Sequence, residues 1–202
     1  MQPRRLEDTK IEDEHTKKIS SSCIFVSFVF SWSRFRRIIM NRFSMRATIH
    51  VRPASPEDAP TWLQMRHALW PEGDAAEHAG EIERYFAGQL HEPLEVLLAI
   101  ADTSRIVGFA ELSIRNYAED CVTNRVAYLE GWYVVPEARR QGVGGALVAA
   151  AEQWGRSQGC TEFGSDTLID NETSAAAHLA LGFEETAQLR CFRKALDPPS
   201  LT

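Results

Sequence analysis

The sequence has little that would support a metal centre or a disulfide-stabilised fold. Only four of its 202 residues are cysteines, and they are scattered, with no C-x-x-C pair and no histidine at metal-ligand spacing. Structural zinc sites have closely spaced Cys and His ligands, and small secreted disulfide frameworks are rich in cysteine. The sequence therefore predicts no metal ion, and its unpaired thiols are typical of a reducing, cytoplasmic location.

A membrane-spanning segment is also lacking. The apolar run from Cys23 to Phe30 is too short to cross a bilayer. An acidic stretch precedes this run and "SRFRR" follows it, which is unlike a cleavable signal peptide. We expect no membrane contact, although a membrane-surface anchor in this segment is an alternative that the residues leave open.

The first 44 residues differ in composition from the rest of the chain. They begin with a polar segment of mixed charge and continue with an aromatic and then basic segment that ends near Met45. Regular hydrophobic periodicity begins only at Thr48. We therefore predict an N-terminal extension at 1–44, either disordered or read from an upstream start, a single domain at 45–197 and a short tail at 198–202.

An excess of positive charge is missing from the predicted domain. Residues 1–46 carry a net charge of +5 and residues 47–202 carry −11, within a total of −6. Nucleic-acid-binding domains present a basic surface, so this balance argues against DNA or RNA as a partner. A negative field would attract a cationic molecule, although many acidic domains are charged only for solubility.

Alternating and amphipathic segments from residue 48 onward predict one sheet with helices on its faces. The order of the segments is β-α-α-β-β-β-α-β-α-β, with one or two strands in the last stretch, "FEETAQLRCFRKAL". The near-continuous apolar run "VAYLEGWYVVP" predicts a central strand that is buried on both faces. The fold class expected from this order is a mixed α/β sheet.

A glycine-rich turn follows that central strand. "VVPEARRQGVGG", residues 134–145, places three glycines within four residues, and an amphipathic helix is predicted from about residue 144 to residue 158. The first N–H groups of a helix have no acceptor within it, and glycines let a ligand approach the backbone closely. This arrangement favours an anion, above all a phosphate group.

The same turn resembles a known phosphate loop. "RRQGVGG" is similar to the Q/R-x-x-G-x-G/A motif of the GNAT superfamily of acyl-CoA N-acyltransferases, with Arg139, Gly142 and Gly144 at the defined positions. Three further stretches, "HALWPEG", "YLEGWYVVP" and "GSDTLIDNETSAAAHLALGFEET", are similar to aminoglycoside 6'-N-acetyltransferases of that superfamily. The resemblance implies a GNAT-like fold, acetyl-CoA as the acetyl donor and an aminoglycoside as the acceptor, with antibiotic resistance as the outcome.

The resemblance also assigns residues to acetyl-CoA. It implies that backbone N–H groups of the loop bind the pyrophosphate, that two arginines add positive charge, and that backbone N–H groups of the central strand polarise the thioester carbonyl. An asparagine at the start of the next helix would bind the pantetheine amides, act as a helix cap, or do both. The loop residues are Gln141, Gly142, Val143, Gly144 and Gly145, and the two arginines are Arg139 and Arg140. The residues of the central strand are Trp132, Tyr133 and Val134, and the asparagine is Asn171.

Two acidic residues are expected to hold the cationic acceptor. Glu130 interrupts an apolar strand, where a charge is costly unless it is paired or lines a wet cleft, and Asp166 ends the neighbouring strand. The resemblance gives both a substrate-binding role and a catalytic role in general-base help. An ion pair of Glu130 with Arg115 or Arg125 and a capping role for Asp166 are the alternatives.

Two aromatic residues are candidate walls of the acceptor cleft, because flat rings bind sugars and cations. They are Trp70, for which a core position is the alternative, and Tyr117. The expected reaction is direct attack of the 6'-amine on the thioester. Many superfamily members place a tyrosine on the late strand to protonate the departing thiol, but this chain has Cys191 and Phe192 there, so the general acid is not identified.

Partners and competing functions follow from the same resemblance. Relatives are commonly dimers, which implies a homodimer, and the acceptor is expected to be a small polycationic aminosugar. Acetylation of a polyamine or another natural amine would use the same fold and donor. Non-catalytic binding of acyl-CoA is the third possibility, and release of thiol from acetyl-CoA in the presence of an amine would exclude it.

Overall fold

The computed structural model describes residues 48–101 and 104–195, so the predictions for 1–44 and 198–202 lie outside the described residues. The described residues form a single sheet in the order β1-β2-β3-β4-β5, and its helices match the predicted order. The strands are β1 (His50–Pro53), β2 (Glu95–Ile100), β3 (Ile106–Arg115), β4 (Val126–Val134) and β5 (Phe163–Ser165), and the helices are α1 (Ala59–Leu69), α2 (Ala75–Phe86), α3 (Val143–Ser157) and α4 (Glu172–Ala180).

Local hydrogen bonds mark the starts of α1 and α2. A 3-10 turn at Pro56–Asp58 leads into α1, and Asp58 accepts a hydrogen bond from the backbone N–H of Ser55 at 2.8 Å. Asp74 accepts one from the N–H of Ala76 at 2.9 Å and caps α2. These local hydrogen bonds explain why the predicted helix starts agree with the structure to within a few residues.

The sheet is antiparallel except at one edge. β1 to β4 pair antiparallel, as the predicted β2–β3 hairpin requires, whereas β4 and β5 run parallel and pair only over three positions, from Ala127 to Leu129. Beyond Leu129 the described residues supply no partner strand to that edge of β4. The two strands therefore diverge and leave a gap in the sheet.

A β-bulge interrupts the pairing of β3 with β4 beside this gap. Glu111 pairs with Gly131 and the next residue, Leu112, pairs with Leu129, so Glu130 is the extra residue of β4. A bulge locally changes the direction in which side chains point. It therefore decides on which face of the sheet Glu130 projects.

Two apolar clusters cover the two faces of the sheet. On one face α3 packs against β3 and β4 through residues such as Leu112, Leu129 and Leu147. On the other face α1 and α2 pack through Trp62 and Ile82 against β2 and β3. Burying each large apolar side chain contributes about 1.5–3 kcal/mol, so these clusters hold the helices, and the loops between them, in place.

The predicted strands in the last stretch are wrong for the described residues. No strand occurs between Phe183 and residue 195, and the side chains of 184–195 are exposed. Period-two patterning gives a segment strand propensity but does not by itself bring it into pairing with a neighbouring strand. Phe192, which stands where a late-strand tyrosine was considered, is 93% exposed.

Within the described ranges, no helix combines the length and the apolar character needed to cross a membrane.

Candidate active site

The glycine turn leads directly into α3, as predicted. Gly142 is the N-cap of α3 and has a φ of 88°, a left-handed conformation that favours glycine. The first N–H groups of the helix, from Val143 to Gly145, have no acceptor within it. They provide the donors and the positive end of the helix dipole that a pyrophosphate needs.

The glycines of this turn have different structural roles. A Cβ on Gly142 would meet nothing within 4 Å, so its requirement is conformational. A Cβ on Gly144 would come within 2.7 Å of Cζ2 of Trp132, so this glycine is needed to pack α3 onto β4. A Cβ on Gly145 would make only an ordinary contact with Leu181, at 3.4 Å. Close approach of a ligand is therefore not the sole reason for glycine here.

The arginines of the loop are exposed, and one of them is anchored. Arg139 donates from Nε to the carbonyl oxygen of Val134 at 2.9 Å, and its guanidinium lies 5.7 Å from the centre of the Tyr133 ring. Gln141 donates to the carbonyl oxygen of Glu137 at 2.7 Å. Arg140 has a φ of 58°. These contacts stiffen the loop while the positive groups stay accessible to solvent.

The strand predicted to polarise the thioester runs along the gap between β4 and β5. Trp132, Tyr133 and Val134 lie beyond the last β4–β5 pair, so backbone groups on that edge have no strand partner among the described residues. The Trp132 ring packs beside Gly144 and meets His178 at 5.3 Å between ring centres. Side chains thus fill the core, and only the main chain faces the gap.

Asn171 directly precedes α4. It is the N-cap of α4 and its Oδ1 accepts a hydrogen bond from the backbone N–H of Ser174 at 3.1 Å. The helix-cap alternative is therefore present in the structure. The side chain is exposed, so its amide donors remain accessible to a ligand.

Glu130 is held by two side chains of β3. Ser113 Oγ donates to Glu130 Oε1, and Arg115 donates from Nε to Oε1 at 2.9 Å and from Nη2 to Oε2 at 2.5 Å. The bulge brings Glu130 onto the face of the sheet that Ser113 and Arg115 occupy. The ion pair with Arg115 anticipated as an alternative is therefore formed, whereas Arg125 donates to the carbonyl oxygen of Gln158 instead.

Asp166 directly follows β5 and is tied to β4. The phenol of Tyr128 donates to Asp166 Oδ1 at 2.8 Å, while the Asp166 side chain is exposed. The Arg115 guanidinium lies 3.5 Å from the centre of the Tyr128 ring. Burial and, next, the bond to the Asp166 carboxylate raise the pKa of Tyr128, so its hydroxyl stays protonated and remains a donor.

Trp70 lies at the end of α1, next to Glu130 along the sheet. A Cβ on Gly131 would come within 2.6 Å of Cη2 of this ring, so the indole rests on the backbone of β4. The guanidinium of Arg66 lies 5.2 Å from the Trp70 ring centre, and His78 stacks on the ring at 6.2 Å. The half-buried Trp70 also packs against the apolar cluster of α1 and α2, so the core position given as its alternative is present in the structure.

A buried acidic residue, Glu111, supports this arrangement. Its Oε1 accepts a hydrogen bond from Trp62 Nε1 at 2.9 Å and lies 2.9 Å from Arg66 Nε. Burial raises the pKa of Glu111, and the positive charge of Arg66 and the Trp62 bond oppose that shift. Arg66 also donates to Glu81 at 2.7 Å. Both polar partners hold Arg66 against Trp70.

The remaining candidate aromatic residue is in the loop after β3. Tyr117 is 66% exposed, and its ring enters neither apolar cluster of the sheet. It is free to contact a ligand.

The sequence did not single out three polar residues that lie near Glu130 and Asp166 in the sheet: Ser113, Tyr128 and Glu111. Glu111 interrupts the apolar strand "IVGFAELSIR" just as Glu130 interrupts β4, so the same signal would have identified it. Tyr128 gave no such signal, because an aromatic residue in a buried strand is ordinary.

A cleft of about 620 Å³ lies at the outer edge of β5 rather than at the gap. It is bordered by Phe163 and Gly164 of β5, the Tyr128 ring, the end of α3 and residues 181–184. The outer edge of β5 has no strand partner in the described part of the chain. Across residues 48–101 and 104–195, no three His, Cys, Asp or Glu side chains are grouped to hold a metal ion.

The chain is similar to known acetyltransferases in sequence and in fold. The sequence model of the Acetyltransferase (GNAT) family matches residues 62–183. The aminoglycoside N(6')-acetyltransferase type 1 of Klebsiella aerogenes is 58% identical over 146 residues, which cover 72% of this chain and 96% of that relative.

Two solved structures share the fold. One is AAC(6')-Iy in complex with the bisubstrate analogue CoA-S-monomethyl-acetylneamine, with a TM-score of 0.68 and 34% identity. The other is the aminoglycoside antibiotic 6'-N-acetyltransferase AAC(6')-Ih from Acinetobacter baumannii, with a TM-score of 0.68 and 38% identity. Each match covers 74% of this chain and 100% of the other. The chain therefore belongs to the GNAT acetyltransferase family and, within it, to the aminoglycoside N(6')-acetyltransferases.

Proposed function

We propose that this enzyme transfers the acetyl group of acetyl-CoA to the 6'-amine of an aminoglycoside and so confers resistance to the antibiotic. The observation that carries the proposal is the joint position of two features along β4. A phosphate-binding turn at Gly142 follows the strand, and two carboxylates, Glu130 and Asp166, stand at the point where β4 and β5 diverge.

The donor half of the site is built mainly from backbone. The N–H groups at the start of α3 would bind the pyrophosphate, with Arg139 and Arg140 adding charge. The unpaired edge of β4 from Trp132 to Val134 would receive the thioester, where N–H groups stabilise negative charge that develops on its oxygen. Asn171 would bind the pantetheine amides. No step of this arrangement needs a metal.

The acceptor half of the site is acidic, as a polycation requires. Glu130 and Asp166 would hold the ammonium groups, and one of them, directly or through water, would take a proton from the 6'-ammonium to give the free amine. Trp70 and Tyr117 would offer flat faces to the sugar rings. The free amine then attacks the thioester carbon, the C–N bond forms, and the CoA thiolate leaves without an enzyme-bound acetyl group.

The proposal is tested by thiol release from acetyl-CoA. We expect turnover with kanamycin or tobramycin and acetylation at the 6' position, read by mass spectrometry and NMR of the product. Turnover with spermidine but with no aminoglycoside would replace this function by acetylation of a natural amine. Absence of thiol release with every amine would leave only a binding role for the chain.

We further infer a cytoplasmic homodimer. The three cysteines among the described residues are free thiols, as in a reducing compartment. The edge of β5 borders a cleft and lacks a strand partner within the described ranges, while Leu189 and Phe192 are 62% and 93% exposed. A second copy would cover such surfaces. Light scattering of the native protein and of a Leu189→Asp/Phe192→Asp variant tests this: a native monomer overturns it.

A further inference from the structure

Tyr128 connects the two carboxylates of the proposed site. Its residue is only 2% exposed, its phenol donates to Asp166 Oδ1 at 2.8 Å, and its ring lies 3.5 Å from the Arg115 guanidinium carbon. Arg115 in turn holds both oxygens of Glu130. Side-chain contacts therefore run without interruption from Asp166 through Tyr128 and Arg115 to Glu130.

The side-chain contacts between Asp166 and Glu130 lie where backbone pairing between β4 and β5 has ended. Parallel pairing of β4 with β5 ends at Leu129 and Ser165, one residue before Glu130 on one strand and before Asp166 on the other. The main chain beyond those residues has no ladder hydrogen bonds between the strands. The separation of the carboxylates therefore depends on side chains.

The two ends of Tyr128 act by different interactions. The hydroxyl bonds one oxygen of an otherwise exposed carboxylate, which restricts its rotation and leaves Oδ2 for another partner. The ring face attracts the guanidinium by a cation–π interaction, and Arg115 is thereby kept in the position from which it binds Glu130. Because the hydroxyl and the ring can be removed separately, their effects can be measured separately.

We propose that Tyr128 is a positioning residue for the acceptor: its hydroxyl orients Asp166 and its ring, through Arg115, orients Glu130. The two acids are thereby presented to a cationic amine at a constant spacing. This role rests on the proposed function, because it takes the acceptor to be an amine that Glu130 and Asp166 bind. Tyr128 itself does not contact the reacting atoms.

The test compares Tyr128→Phe with the wild-type enzyme, because this change removes the hydroxyl and keeps the ring. We expect the KM for tobramycin to rise at least about tenfold, as for loss of a hydrogen bond to a charged group, while the KM for acetyl-CoA stays unchanged. Tyr85→Phe is the matched control, since Tyr85 lies on α2 and its ring packs against Trp62 and Phe86. It should alter neither KM.

A double-mutant cycle separates positioning from a general loss of packing. If the hydroxyl acts through Asp166, Tyr128→Phe has no further effect on the tobramycin KM in an Asp166→Ala background. Equal effects of Tyr128→Phe in both backgrounds overturn the proposal, and so does an unchanged KM in the single variant. Tyr128→Leu, which also removes the ring, should weaken tobramycin binding more than Tyr128→Phe does.

A measurement without turnover keeps this proposal distinct from the proposed function. In protein labelled with 13C at the tyrosine phenol carbon, Tyr128→Phe identifies the Tyr128 resonance by its loss. We expect that resonance to shift in Asp166→Ala, and to shift in the wild-type protein when tobramycin is added. An unmoved resonance in Asp166→Ala overturns the positioning role, whereas absent turnover with every aminoglycoside overturns only the acetyl-transfer assignment.

Discussion

The indole ring of Trp70 lies directly on the backbone of Gly131, where a Cβ would come within 2.6 Å of the ring. Gly131 is the residue after Glu130 and pairs with Glu111 at the bulge. The end of α1 and the middle of β4 therefore meet at the proposed acceptor site. Trp70 can occupy this position only because residue 131 is glycine and has no Cβ.

Gly131→Ala should therefore impair acceptor binding specifically. The added Cβ pushes the Trp70 ring away from β4, and we expect the KM for tobramycin to rise about tenfold with little change for acetyl-CoA, since overpacking costs about 1–3 kcal/mol. Steady-state kinetics with each substrate varied checks this. Gly80→Ala is the control: its Cβ would meet only Arg84 at 3.6 Å, so kinetics should not change. Equal losses in both KM values would count against a local effect.

Gly144→Ala and Gly145→Ala form a matched pair within the proposed phosphate-binding turn. The first places a Cβ 2.7 Å from Trp132, the second places one 3.4 Å from Leu181. We expect Gly144→Ala to lower the free energy of unfolding by about 1–3 kcal/mol and to weaken acetyl-CoA binding, and Gly145→Ala to be nearly neutral in stability. Thermal unfolding and titration calorimetry measure both. Similar stabilities of the two variants would mean that Trp132 does not constrain α3.

Glu130→Gln should weaken binding of the aminoglycoside and leave binding of acetyl-CoA unchanged. The amide keeps the size of the side chain but removes the negative charge that pairs with Arg115 and would pair with an ammonium group. We therefore expect the tobramycin KM to rise at least about tenfold. Glu152→Gln removes an exposed carboxylate paired with Arg156 on α3 and should have almost no effect. Circular dichroism of each variant checks that it is folded under the conditions of the kinetic assay. Unfolding of Glu130→Gln would assign this residue a structural role instead.

The stability of the fold should depend on Asp58 at low pH. The Arg52 guanidinium beside it lowers the pKa of Asp58 from 3.8 to about 2, against the effect of burial. A depressed pKa stabilises the folded state above the unfolded value, and this contribution is lost as pH falls from about 3.8 through about 2. Asp58→Asn should reduce the free energy of unfolding by about 1–3 kcal/mol at pH 6 and flatten its decline between pH 4 and pH 2.

Urea unfolding across this pH range measures the effect. Glu137→Gln is the control, because Glu137 pairs with Arg105 where both side chains are exposed, at 60% and 55%. Equal pH dependence in Asp58→Asn and in the wild-type protein would show that the Arg52–Asp58 pair does not stabilise the N-terminus of α1.

Features that arise from neighbouring residues were predictable from the sequence. The start of α3 after Gly142 and the Asn171 cap of α4 both depend on contacts within a few residues. The predicted strands at the C-terminal end failed for the opposite reason, since a strand exists only through a partner that local pattern does not specify.

The amino-acid sequence by itself determined the family and the glycine turn before α3, and it singled out Glu130 and Asp166 as the proposed acids, because short-range patterns encode caps and turns. Only the tertiary structure decided how those acids are held. A bulge in the β3–β4 pairing turns Glu130 toward Ser113 and Arg115, and Tyr128 reaches Asp166 across 38 residues. Such contacts depend on strand register, which the packing of the whole sheet sets and no local stretch contains.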